Sequence, residues 1–225
     1  MKGFSLVLMI FCLTACGSAK PPKSINQFGK STIDEIIELH QQRVIQDLKT
    51  LTLKLYRRNP NERHDRGKRT LEESVARLFN YPALAGFSKW KNTKPTDILR
   101  DALSPEYEGD RVLAFTVGMR RMLMASYDYK TDFYYLTEID AQKLYNSARN
   151  IEIAAWLLAT RRDHQGNRVL LSDSTAALEQ NLSFQRLIGG MITTQENLSQ
   201  IIATRQGRMV KTVVIQAASM AFLPI

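Results

Sequence analysis

Hydrophobic positions recur with helical spacing from residue 33 onward. Ile33, Ile37, His40, Val44, Leu48, Leu51 and Leu55 follow one another in steps of 4, 3, 4, 4, 3 and 4. The stripe makes two eleven-residue periods, and about 3.67 residues per turn keeps it nearly straight along a helix. This argues against a left-handed coiled coil. Ile36, Ile45 and Leu53 widen the apolar surface to the breadth of a helix packed into a bundle. The start is set by Ser31 with Asp34, or Thr32 with Glu35, each with capping-box spacing. Asn59-Pro60 ends it, because the residue before a proline is pushed out of the helical region. Thr70 with Glu73 caps a second helix that closes near Tyr81-Pro82.

Farther along, residues 83–94 read as a loop with apolar anchors at Leu84, Phe87 and Trp90. Pro95 and Asp97 suit the first turn of a short helix running to Leu103. A longer helix is expected over 106–129, with Val112, Phe115, Met119, Met122 and Ser126 on one face. An aromatic turn follows, and Thr137 with Asp140 opens a helix that presents Leu144, Ala148, Ile151, Ala155 and Leu158 as far as Arg161. Residues 163–173, with Gly166-Asn167, form the clearest interior loop. Two more helices are expected, over 175–204 and 207–221, with Gly189-Gly190 bending or interrupting the first. The tail Phe222-Leu223-Pro224-Ile225 is apolar enough to pack against the domain. No internal repeat and no series of alternating strands is visible. The expected fold is all-α, an irregular bundle of about six to eight helices.

The first 16 residues follow a different logic. Lys2 is followed by an apolar run, Phe4 to Leu13, broken only by Ser5. A mature membrane-spanning helix needs roughly 20 apolar residues, so this run has the length of a signal-peptide core instead. It closes on Leu13-Thr14-Ala15-Cys16-Gly17, which resembles the lipobox of bacterial lipoproteins. The resemblance is confined to about the first 20 residues. It implies a signal peptide over 1–15, lipid on the Cys16 thiol, a lipidated linker over 16–30, and one helical periplasmic domain over 31–225. Only a thiolate is nucleophilic enough for thioether formation, so serine would not serve at 16. Gly17 rather than Asp follows the cysteine, which by family analogy favours the outer membrane of a Gram-negative cell, facing the periplasm, over the inner membrane.

Composition narrows the possibilities further. Loss of the leader would leave 210 residues and lower the formal charge from +9 to +8, since Lys2 leaves with it. Cys12 would leave too, so no disulfide or cysteine-based zinc site is available to the mature chain. A basic exported domain suits anionic lipid headgroups or acidic polymers such as cell-wall strands, while nucleic acid is a poor match for a tethered, exported protein.

Candidate chemistry is sparse. The three histidines, His40, His64 and His164, lack metal-binding spacing, and no nucleophile elbow or phosphate loop occurs. No catalytic residue, metal or cofactor is therefore assigned. Asp128, Asp132, Glu138 and Asp140 surround the aromatic turn, where a glycan-cleaving pair would need carboxyls about 5 to 9 Å apart. Two binding candidates remain. One is the basic connection with Arg57, Arg58, Arg63, Arg66, Lys68 and Arg69; the other is the aromatic set Tyr127, Tyr129, Phe133, Tyr134 and Tyr135. The leading expectation is a membrane-anchored, non-enzymatic binding or assembly factor of the cell envelope, its partner an envelope protein, anionic lipid or cell-wall polymer. The alternatives are a lipid or hydrophobic-ligand carrier, suggested by Met119, Met122, Met124 and Met191, and a cell-wall hydrolase.

Overall fold

The computed structural model describes residues 30–80, 87–134, 138–173, 181–212 and 221–225. The fold is all-α. Six helices run through the described residues: α1 (Thr32–Arg58), α2 (Leu71–Asn80), α3 (Pro95–Ala102), α4 (Arg111–Ser126), α5 (Ala141–Thr160) and α6 (Ser183–Gln206). Short 3-10 turns at Pro60–Glu62 and Ser88–Trp90 lie in the connections. Among the described residues there is no strand, only an isolated bridge between Arg162 and Arg168. No helix there is long and apolar enough to cross a membrane.

Helix α1 begins as its pattern predicts. The Ser31 backbone N–H donates to Asp34 Oδ2 at 2.7 Å, completing the capping box. Ile37, Val44, Leu48, Leu51 and Leu55 are all buried against the neighbouring helices. Ile33 and His40 are half-buried, and His40 Nδ1 meets the Ile36 carbonyl oxygen at 2.8 Å. Asn59 ends the helix, its side-chain Nδ2 donating to the Leu55 carbonyl at 2.8 Å. Helix α1 packs against α6, α4 and α2, while α5 packs against α6 and α4, and α3 against α4.

Helix α4 lies at the centre, with 13 of its 16 residues buried. It is shorter than expected at both ends. It starts at Arg111 rather than 106 because Asp110 is the N-cap, its Oδ1 accepting from the Leu113 N–H at 2.7 Å. The Arg111 guanidinium holds the preceding loop by donating to the carbonyls of Ala102, Ser104 and Pro105. At the far end Asp128 and Tyr129 adopt φ of 51° and 59°, and the Tyr129 N–H returns to the Met124 carbonyl at 2.7 Å. That left-handed turn stops the helix at Ser126.

Two expectations for the C-terminal third are corrected. Helix α6 runs unbroken through Gly189 and Gly190, since glycine costs a helix only about 1 kcal/mol per residue. A Cβ at Gly190 would sit 3.6 Å from Asp47 Oδ2, an ordinary van der Waals distance. Asn181 and Leu182 precede the helix rather than belong to it; residues 174–180 lie outside the described set. The second expected helix does not begin at Gly207, which instead caps α6 with φ of 62°, and residues 208–212 are not helical. The rest of that expected helix, apart from Ala221, falls on residues 213–220, also outside the described set.

The tail does pack, with Phe222 and Ile225 half-buried against the core. It is held by amides spaced four apart along α5. Asn150 Nδ2 donates to the Leu223 carbonyl at 2.9 Å, and the Leu223 N–H donates back to Asn150 Oδ1 at 2.6 Å. Asn146 Nδ2 donates to the Pro224 carbonyl at 2.9 Å, and Gln142 exchanges two hydrogen bonds with the Lys211 backbone.

Candidate functional site

The basic connection between α1 and α2 separates two depressions, and its cations do not share one surface. Exposed Arg57 reaches Glu72 at 3.7 Å, and Arg69 pairs with Asp65 at 3.4 Å. Arg66 donates to Asn61 Oδ1 at 3.2 Å, Lys68 points to solvent, and Arg63 is half-buried. Arg58 alone of the six lines an open groove of about 800 Å³, where it is joined by Arg162 and Arg168 from the loop after α5. None of these three arginines forms an ion pair among the described residues.

One side chain builds this groove. Asn59 Nδ2 donates to the Leu171 carbonyl at 2.8 Å while the Leu171 N–H donates to Asn59 Oδ1 at 2.7 Å. The amide thus clamps the 161–171 loop against the end of α1. That loop is a tight hairpin, in which Asp163 Oδ1 accepts from the N–H groups of Gln165 and Asn167, and Arg162 Nη1 donates to the Gly166 carbonyl. Glu62, the one acid lining the groove, accepts from the Arg111 N–H at 2.8 Å. Its charge is turned to the start of α4, so positive potential dominates the groove.

On the other side lies a more enclosed pocket of about 350 Å³. Its walls are Phe87, Trp90, Tyr107, Leu78 and Leu113, and the rings of Phe87 and Trp90 meet edge to face at 6.0 Å. Two neighbouring arginines of α4 set these walls. Arg120 donates to the carbonyls of Leu78 and Phe79, and buried Arg121 donates to those of Trp90 and Lys91. Inside, the Tyr56 hydroxyl donates to Asp110 Oδ2 at 2.9 Å, and the Ser74 hydroxyl donates to Asp65 Oδ1 at 2.8 Å. Burial pushes the Asp110 carboxyl up to about 6, against the opposing pull of the Leu113 N–H and the Tyr56 hydroxyl. Burial also raises Tyr56, with the Asp110 charge adding to the shift.

The raised carboxyl has a consequence for stability. A folded-state value above the ordinary aspartate value means that the native state holds this proton more tightly. The contribution is fully present below about pH 4 and is lost as pH rises through about 6. Asp110→Asn keeps the cap, because asparagine caps as well as aspartate. The variant is therefore expected to be more stable than the parent by about 1–2 kcal/mol at neutral pH, with the gain vanishing near pH 4. Urea unfolding of both proteins at pH 4, 5.5 and 7.5 measures the difference; a gain that is constant with pH would contradict it.

The aromatic candidates divide between core and surface. Tyr127 and Phe133 are fully buried, packed edge to face at 6.2 Å, and so belong to the core rather than to a binding face. Tyr129 and Tyr134 are exposed, Lys30 Nζ lying 5.4 Å from the Tyr134 ring centre. Tyr135 and Cys16 lie outside the described residues. Of the nearby acids, Asp128 pairs with Lys143 at 2.6 Å and Asp140 caps α5 through the Gln142 N–H at 2.8 Å. Asp132 and Glu138 are exposed. His164 approaches Glu106 at 3.6 Å, and His64 lines the enclosed pocket. Among the described residues no cluster of three metal-ligating side chains occurs.

Sequence reasoning missed Tyr56, Lys89, Tyr107 and Asp110 of the pocket, and Arg162 and Arg168 of the groove. Asp110 carried a readable signal, an N-cap residue ahead of an apolar run. The others carry no such signal before the fold brings their segments together: Tyr56 is buried, Tyr107 and Arg168 are half-buried, and Lys89 and Arg162 are exposed. Compared with protein-family models, curated proteins and solved structures, the chain matches none of them.

Proposed function

We propose that this chain is an exported lipoprotein, held by lipid on Cys16 at the periplasmic face of the outer membrane, whose helical domain binds an acidic polymer of the envelope without chemistry. The leader and its Leu-Thr-Ala-Cys sequence support the anchor. The observation that carries the binding role is the meeting of Arg58, Arg162 and Arg168 at one open groove, with no ion pair to any of them among the described residues. Guanidinium groups match carboxylate and phosphate bidentately, and three on one groove suit a polymer with repeated anionic groups. Anchoring raises the local concentration of the domain at the wall, so modest intrinsic affinity suffices.

The carrier alternative has less support, since the enclosed pocket mixes aromatic walls with Asp110, Asp65, His64 and Arg77 rather than offering a clean apolar cavity. The hydrolase alternative would need Asp128 and Asp132 to act together, and Asp128 is paired with Lys143.

The test is sedimentation of the full chain with isolated cell-wall sacculi, with vesicles of anionic phospholipid as the second arm. Changing Arg58, Arg162 and Arg168 together to Gln is expected to weaken sacculus binding roughly tenfold or more, as is added salt. Cys16→Ser should move the protein from the membrane fraction to the soluble one while leaving sacculus binding intact. Binding to vesicles alone, or binding indifferent to the three arginines, would overturn the reading.

A further inference from the structure

The arginine groove makes no use of the enclosed pocket on the other side of the connection, and that pocket has its own chemistry. Its floor is aromatic, with Trp90 buried and Phe87 and Tyr107 half-buried. Its acids are occupied. Asp110 is bonded through both oxygens, to the Tyr56 hydroxyl and the Leu113 N–H, and Asp65 is bonded to the Ser74 hydroxyl and paired with Arg69. Its basic side chains are not. His64, Arg77 and Lys89 stand exposed around the mouth, and among the described residues none of them forms an ion pair.

Lys89 is the most telling of the three. Its Nζ lies 5.3 Å from the Trp90 ring centre and 5.1 Å from that of Tyr107, so two aromatic faces hold the ammonium at the entrance. An ammonium fixed over rings, with no carboxylate of its own, is poised to receive an anion. A pocket of about 350 Å³ falls at the small end of ligand sites, enough for a single ring with substituents. Within it the Tyr56–Asp110 and Ser74–Asp65 pairs present oxygens suited to a ligand hydroxyl.

We infer that this pocket binds a compact hydroxylated ring compound bearing a carboxylate or phosphate, with the ring against the aromatic floor and the anionic group at Lys89 and Arg77 at the mouth. The inference stands independently of the arginine groove and of the polymer proposed to bind there.

Trp90 provides the readout. The chain has two tryptophans, and Trp156 is 39% exposed, so Trp156→Phe leaves Trp90 as the sole reporter. The full chain carrying that change, purified in detergent, would be titrated with glucuronate, glucose 6-phosphate and 4-hydroxybenzoate. Glucose and methyl 4-hydroxybenzoate serve as neutral counterparts. At least one anionic probe should give a saturable change in Trp90 emission, about tenfold tighter than its neutral counterpart, equivalent to one good charge contact. Lys89→Gln with Arg77→Gln should abolish that preference, and both residues are exposed enough for folding to persist, as circular dichroism would verify. The Gln variants of Arg58, Arg162 and Arg168 should leave it unchanged. Which probes respond separates a sugar acid from an aromatic acid. No saturable response to any anionic probe, equal affinity for the neutral counterpart, or indifference to Lys89 and Arg77 would overturn the inference.

Discussion

Replacing Gln195 with leucine is expected to destabilise the domain by about 3 kcal/mol, although leucine is apolar and similar in size. Gln195 is fully buried and joins three helices. The Tyr127 hydroxyl donates to its Oε1 at 2.6 Å, while its Nε2 donates to the hydroxyl oxygens of Ser126 at 3.1 Å and Ser147 at 2.7 Å. Those serines pass their own protons to the carbonyls of Leu123 and Leu144. Every polar atom has a partner as long as the amide is present. Leucine would strand the buried Tyr127 hydroxyl and would deprive both serines of a donor. Stranded groups cost about 1–3 kcal/mol each, partly relieved by local shifts. Denaturant unfolding of Gln195→Leu, Tyr127→Phe and the double variant forms the test. The double variant should recover part of the loss, because the stranded hydroxyl is gone. A single-variant loss under about 1 kcal/mol would mean that the network contributes little.

The second large effect is steric. Gly118→Val should cost about 3 kcal/mol or more, because α3 crosses α4 where no side chain fits. A Cβ at 118 would stand 2.8 Å from Leu99 Cγ and 3.1 Å from the Pro95 carbonyl oxygen. Leu99 is fully buried, and the Pro95 backbone opens α3, so neither can yield cheaply. Gly189 is the internal control. Nothing lies within 4 Å of a Cβ there, so Gly189→Ala should stabilise by up to about 1 kcal/mol through helix propensity alone. Thermal unfolding of the two variants should therefore shift in opposite directions; a shift of Gly118→Val smaller than that of Gly189→Ala would refute the crossing as the cause.

These two positions mark where the sequence was legible and where it was not. Local signals were read correctly because their physics is local. Ser31 with Asp34, Thr70 with Glu73, Asn59 before Pro60, and the stripe from Ile37 to Leu55 each act within a few residues of themselves. Helix α4 was placed, but its ends were not. The Arg111 side chain holds the residues before it as loop, and an Asp-Tyr pair took the left-handed turn usually given to glycine. Gly189-Gly190 carries a break signal along the chain, yet each glycine costs a helix only about 1 kcal/mol, which the packing of α6 on α1 and α5 outweighs. The aromatic turn mixed two populations that only burial separates: Tyr127 and Phe133 inside, Tyr129 and Tyr134 outside.

The site was less legible still. Of six cations singled out in the connection, Arg58 faces the groove, and its companions come from a loop a hundred residues away. Their meeting depends on the Asn59 amide reaching Leu171, a contact with no signature along the chain. The enclosed pocket is assembled from segments around Tyr56, His64, Ser74, Trp90, Tyr107 and Asp110, of which Asp110, as an N-cap ahead of an apolar run, is marked in its own neighbourhood.

The amides of α5 that hold the tail contact its peptide groups, not its side chains. Their grip is therefore blind to residue type, and substitutions at 223 and 224 can accumulate without unseating the chain. One restriction survives: position 223 must supply an N–H to Asn150, whereas position 224 is asked only for its carbonyl. Proline, which has no N–H to give, is admissible at 224, where it stands, and would be excluded one residue earlier.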